Sequence, residues 1–190
     1  MVFGKRSKVI KDWPEDSREA AQLVIDTYGE PHEATSSLLI WHNVGPWKRV
    51  QASRVFVEHR FPAPHIDSVE SFVDYAVPPE KVSALAEFDG SVIVDRTAGE
   101  VSARCHDEQA NLLALNLMHD IVSGAKTVAQ ARDYYGKEFA DYRRKQPTPY
   151  MDGLRFKPGR DTADPDERLL SDADLERAMR EGEQRQRATA

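Results

Sequence analysis

The chain has one cysteine, Cys105, in 190 residues, so no internal disulfide can form, and a reducing compartment, the cytoplasm, is the expected setting. It lacks any apolar run of the roughly 20 residues that a membrane-spanning helix needs. Residues Met1 to Lys8 carry charge with no apolar stretch behind them, so neither a signal peptide nor a membrane contact is expected, and no lipidation motif appears. A Lys/Arg-rich face is also missing, and the net charge is −6, which argues against nucleic acid as the main partner, since that partner selects a basic footprint. There is no phosphate-cradling glycine loop, dinucleotide fingerprint, haem-attachment motif or Gly-x-Ser-x-Gly elbow. The common catalytic signatures are therefore excluded, and the residues that remain carry the functional reading.

The most apolar stretch, Cys105 to Val122, reads as the central helix of a packed core. Asp107 is suited to cap it, Glu108 complements the dipole in its first turn, and Ser123-Gly124 supplies the stop. At about 100° per residue, Leu113, Ala114, Leu115, Leu117, Met118, Ile121 and Val122 form one wide apolar arc. Gln109, Asn116, His119 and Asp120 form a polar stripe that includes Leu112. Asp120 is within i, i+4 reach of Asn116. Asn111 lies inside the apolar arc. A buried amide needs partners, so Asn111 either caps an irregular loop on this helix or contacts a ligand in a pocket beside helix 108–123. Glu108 and His119 share a face but are separated by about 16 Å of helix rise, too far to hold one ion.

Around this helix the patterning predicts an α+β fold: two antiparallel β-hairpins forming a sheet, packed by helices, with a C-terminal αα-hairpin and an extended polar tail. Residues 1–13 read as an N-terminal arm and 14–144 as one domain. Asp16 and Glu19 have capping-box spacing, and Ala21, Val24, Ile25 and Tyr28 give an inward helical stripe that Gly29 and Pro31 end. Ser37–His42 reads as a buried strand, and Lys48–His59 as a longer one after the Gly45-Pro46 turn. The second strand changes apolar parity between Val50/Ala52 and Val55/Val57, which calls for a β-bulge near Ser53-Arg54. After the Phe61–His65 loop, Asp67 and Glu70 have capping-box spacing before Val69, Phe72, Val73 and Ala76. A helix is expected there, with an alternating strand 69–77 as the alternative. Val82, Leu85 and Ala86 suggest a short helix, and 91–105 a second hairpin turning at Thr97-Ala98-Gly99. Thr127 and Gln130 cap a last core helix bearing Val128, Ala131, Tyr135, Phe139 and Tyr142. Charged residues make up 31% of the chain, high for a wholly packed one, and residues 145–190 read as the solvated part, linker-like with one conditional helix at 171–181.

The order helix–strand–strand occurs around 16–59 and again around 79–105. The first of these modules, with Tyr28-Gly29-Glu30-Pro31 leading into a strand that bears Trp41, is similar to the helix–hairpin modules of small bacterial outer-membrane assembly lipoproteins. The lipoprotein cysteine is absent. The resemblance implies no more than a scaffold for protein contacts.

Three sets of residues carry chemistry. His59, His65 and Asp67, with Glu70 or His106 as a further donor, match the ligand types for zinc or iron and would make a small metal-dependent enzyme. Cys105 beside His106 and Arg104, just before a helix, has the setting of an activated thiolate, but its strand parity places it inward with Val101 and Ala103, as an inert thiol. Trp41, Trp47 and Lys48 gather at one hairpin turn; Trp is enriched at interface hot spots and is equally at home under a core edge. The leading expectation is a non-enzymatic accessory or adaptor protein that binds another protein, or a second copy of itself, through the Trp-bearing hairpin and the tail. The metal-dependent enzyme and a small-molecule pocket at Asn111 are the alternatives.

Overall fold

The computed structural model describes residues 8–189. Its centre is a six-stranded antiparallel sheet in the order β1-β2-β3-β4-β6-β5, formed by β1 (Glu33–Ala34), β2 (Leu38–Val44), β3 (Trp47–His59), β4 (His65–Asp74), β5 (Val92–Asp95) and β6 (Glu100–Cys105). Five helices accompany it: α1 (Glu15–Tyr28), α2 (Val82–Phe88), α3 (Glu108–Ser123), α4 (Val128–Arg143) and α5 (Asp172–Ala188). The α+β class follows. Two hairpins are present as expected, β2–β3 and β5–β6, and β4 joins them by pairing with β3 on one side and β6 on the other.

The segment read first as a helix, from Asp67 onward, is this central strand. Val69, Ser71 and Val73 alternate inward, and both edges of β4 find hydrogen-bonded neighbours, which outweighs the local capping-box spacing. Asp67 and Glu70 are therefore strand residues, not caps. The bulge expected in β3 is present. From Ala52 to Val57 the strand takes five steps, while β4 takes two between their partners Val69 and Asp67. The three-residue excess is odd, so it exchanges the faces of β3: Val50 and Ala52 point inward before it, and Val57 and His59 share the Asp67 and His65 face after it.

α3 covers the inner face and is almost wholly buried. Asp107 accepts from the Ala110 amide at its start, and Gly124 takes the left-handed conformation at its end, φ 79°. Asn111 is fully buried and donates to the Val69 carbonyl at 3.1 Å and the Ser71 hydroxyl at 3.0 Å, so it locks the helix to β4 rather than capping a loop. α4 opens with the Thr127/Gln130 capping box and packs on α3 as the second arm of the helix pair. The Asp16/Glu19 box is not formed. α1 has Pro14 rather than Asp16 at its N-cap position, two residues earlier, and its two first-turn acids, Glu15 and Asp16, serve the dipole.

Of the N-terminal arm, residues 1–7 lie outside the described residues. Residues 8–13 are folded in, with Ile10 and Trp13 buried and the Trp13 indole donating to the Ser36 carbonyl at 3.0 Å. The linker-like stretch after Lys145 is also tied down. Asn116, placed by sequence with Asp120, instead donates to the carbonyls of Tyr150 (2.9 Å) and Gly153 (2.8 Å) and accepts from the Arg155 amide (2.7 Å). Asp120 binds Lys126 and the Tyr150 hydroxyl, and His119 bonds the Tyr75 hydroxyl and stacks on Phe156. Farther on, Thr162 crosses the β5–β6 turn at Gly99, where a side chain would strike the Thr162 backbone. Arg96 then pairs with Asp164 and Asp166. The expected 171–181 helix does not stop at Gly182. α5 runs to Ala188 with no buried residue, since glycine alone weakens a helix without ending it.

Asn116→Ala leaves three backbone groups of the 145–156 strap without partners, each worth about 1–3 kcal/mol when buried. A lower melting temperature and new protease cleavage within 146–160 are the expected outcomes. An unchanged cleavage pattern would show that the strap is held without Asn116.

Candidate metal centre

Two features of β-structure bring His59, His65 and Asp67 together. Side chains two apart on a strand share a face, so His65 and Asp67 are neighbours on β4. The register then sets His59 directly opposite His65, and the rings lie 4.9 Å apart. One donor atom from each of the three lies within 4.8 Å of the others, so the set is placed to hold one metal ion. Without the odd excess in β3, His59 would face the other side of the sheet.

The individual contacts fit a coordination shell. His65 Nε2 lies 3.1 Å from Asp67 Oδ1, and His59 Nδ1 lies 3.4 Å from Asp67 Oδ2. Two ligands on a tetrahedral zinc ion, at bond lengths near 2.1 Å, stand about 3.4 Å apart. His65 is also oriented from behind, its Nδ1 against the Ala63 carbonyl at 2.8 Å, while His59 Nε2 has the Asp89 carboxylate nearby at 3.8 Å, beyond hydrogen-bond distance. Carbonyls and carboxylates in that position are what hold metal-binding histidines. The Ser91 hydroxyl donates to Asp67 Oδ2 and its amide donates to Asp89, which anchors the β4 carboxylate to the start of β5. Asp67 is 2% exposed, and among the described residues the group that faces its Oδ1 is His65 Nε2, which serves as a donor only when protonated. A buried carboxylate oxygen lacking a donor is costly, and a cation there removes the cost.

With no ion bound, a proton must do that work. Burial alone would lower the His65 pKa, but Asp67, the Cys105 sulfur and the Ala63 carbonyl outweigh it and push it up to about 11. His65 Nε2 thus carries a proton or a metal, and the two compete for one lone pair. Burial also pushes the Asp89 carboxyl up.

Cys105, at the end of β6, brings its sulfur to 3.2 Å from His65 Nε2. The Asp67 carboxylate and the sulfur both face Nε2, while Nδ1 faces the Ala63 carbonyl, so what argues against an activated nucleophile is the burial of the thiol. Burial raises the Cys105 thiol although His65 pulls it down, and the residue is 6% exposed. His65, Cys105 and His106 line one side of a cavity of about 80 Å³, closed opposite by Phe139, Tyr142 and Arg143. Glu70 points away from the centre and accepts from Ser102 at 2.5 Å. Nothing in the sequence singled out Ser91 or Asp89. They became visible only when the β4–β6–β5 order put the start of β5 beside Asp67.

The expected Trp-bearing surface is not formed by its Trp rings. Trp41 is 0% and Trp47 2% exposed, with their indole N–H groups on the Gly29 carbonyl and the Glu108 carboxylate. Lys48 is paired with Asp74 and Glu100. Asn111 is fully buried against β4; its partner Ser71 lines a cavity beside the start of α3, and Asn111 itself is not among the residues lining it.

Cys105 in the native protein is expected to react slowly with a thiol reagent and fully after denaturation. Rapid native labelling would restore the activated-thiolate reading.

Among the described residues, no helix is long and apolar enough to cross a membrane. No protein-family model matches the chain, and comparison with curated proteins and with solved structures finds no significant match to either.

Proposed function

We propose that this chain binds a divalent transition metal, zinc or ferrous iron, through His59, His65 and Asp67, and works as a small metal-dependent enzyme. The observation that carries the reading is Asp67 Oδ1: buried and faced by His65 Nε2 at 3.1 Å, an imidazole nitrogen whose ring is held from behind. Three protein donors leave a further position open, the arrangement of catalytic rather than structural zinc sites, and two imidazoles with one carboxylate also suit non-haem iron. The cavity beside His65 offers room for a substrate. The single, reduced cysteine supports a reducing compartment such as the cytoplasm.

Protein purified without chelators is expected to carry one equivalent of metal by elemental analysis, and His59→Ala and His65→Ala are each expected to lose it while keeping the far-ultraviolet spectrum. Adding zinc at about 100 times its dissociation constant should stabilise the stripped protein by about 2.7 kcal/mol. Stoichiometric metal retained in the double variant, or no thermal shift on adding zinc or iron, would contradict the proposal.

A second reading, an accessory protein that docks through its tail, is favoured by one observation. Leu169, Leu170, Leu175 and Met179 are exposed along a segment with no buried residue, Leu169 at 94%. Removing 168–190 should then abolish complex formation in cell extract while the core melts unchanged. Equal complex formation would end that reading.

A further inference from the structure

A second cavity lies on the opposite side of α3's first turn from the metal centre's sulfur, between α1, β3 and β4, with a volume of about 90 Å³. Its walls are apolar at Val24, Val50 and Val69 and aromatic at Tyr28 and Trp47, and Glu108 supplies a carboxylate. That carboxylate is held in place. Its Oε1 accepts from the Tyr28 hydroxyl at 2.5 Å and from the Trp47 indole at 2.7 Å. Both donors are neutral, and Glu108 forms no ion pair with any described residue, so beyond these two hydrogen bonds and the α3 dipole its charge has no cationic side-chain partner. Asp107, next along the wall, adds a second carboxylate that also caps α3.

A helix N-terminus by itself suits an anion, but Asp107 and Glu108 already fill that role here. What the cavity lacks is a cation with an apolar body. We infer that it binds a small aliphatic ammonium, with the ammonium on Glu108 beside Tyr28 and Trp47, and the alkyl group against the three valines. The volume is below the ~150 Å³ that accepts benzene, which limits the enclosed part of the ligand to about four or five heavy atoms. Any longer ligand leaves past Leu23 and Thr27, which line the same cavity from α1 and are exposed.

The test is a nitrogen-15 NMR titration of the full chain with isobutylamine at neutral pH, with isobutanol as the neutral isostere. Isobutylammonium should shift the amides of 23–28 and 107–110 saturably, and bind at least about tenfold more tightly than isobutanol, the scale of one charge-assisted hydrogen bond. Glu108→Gln keeps an oxygen acceptor for Tyr28 and Trp47 and should abolish that preference. If this variant unfolds, Thr27→Phe, on the exposed face of α1, should block the amine by filling the mouth. Equal affinity for amine and alcohol would overturn the inference, as would the absence of saturable amine binding. His65→Ala should leave amine binding unchanged, and its loss there would assign the amine to the metal centre instead.

Discussion

Polar side chains buried on the inner face of β4 set the terms for the rest of the molecule. Asp67 and Ser71 point from the central strand into the space beneath the helices, where water cannot serve them. Each must be met by a group from another element. Ser71 is met by Asn111, the one amide on the apolar arc of α3, and that pairing fixes where the central helix lies along the strand. Asp67 is met by Ser91 on Oδ2 and faced by His65 on Oδ1. The first contact ties helix to strand, and the second sits where two histidines are turned.

The same economy of placement governs the strand beside it. An antiparallel register sends every second residue of β3 inward, and a run of unbroken alternation would have put His59 on the open face of the sheet. The odd excess between Ala52 and Val57 is therefore both a structural irregularity and the device that assembles the centre. Bulges of this kind gather where a strand must re-aim a side chain. The helix start at Asp107 divides the region beneath the sheet in two: His65, Cys105 and Arg143 border one cavity, and Tyr28, Trp47 and Glu108 border the other. One first turn thus serves two chemically different spaces.

Much of the architecture was legible because it rests on local rules. The parity change in β3 announced the bulge, the Thr127/Gln130 spacing announced the α4 cap, and the 3.6-residue periodicity of α3 announced its burial. Periodicity failed where a tertiary neighbour mattered more than spacing. Asp67 and Glu70 mimic a capping box, and only pairing on both edges makes β4 a strand. The residues after Lys145 look like linker by composition, because their order depends on Asn116, Gly99 and Arg96, which are distant in sequence. The ligand types of the metal centre were readable and its geometry was not, since that needed the β3–β4 register. For Trp41 and Trp47 residue type alone left surface and core edge equally open; the Gly29 carbonyl and Glu108 draw both indoles inward.

The most direct measurement is X-ray absorption at the zinc edge on the full chain loaded with one equivalent of zinc. A first shell of nitrogen and oxygen near 2.0–2.1 Å with the multiple-scattering signature of two imidazoles, and no zinc retained by His59→Ala, is the predicted result. A shell dominated by sulfur near 2.3 Å, or a spectrum unchanged by that substitution, would contradict a centre built on His59, His65 and Asp67.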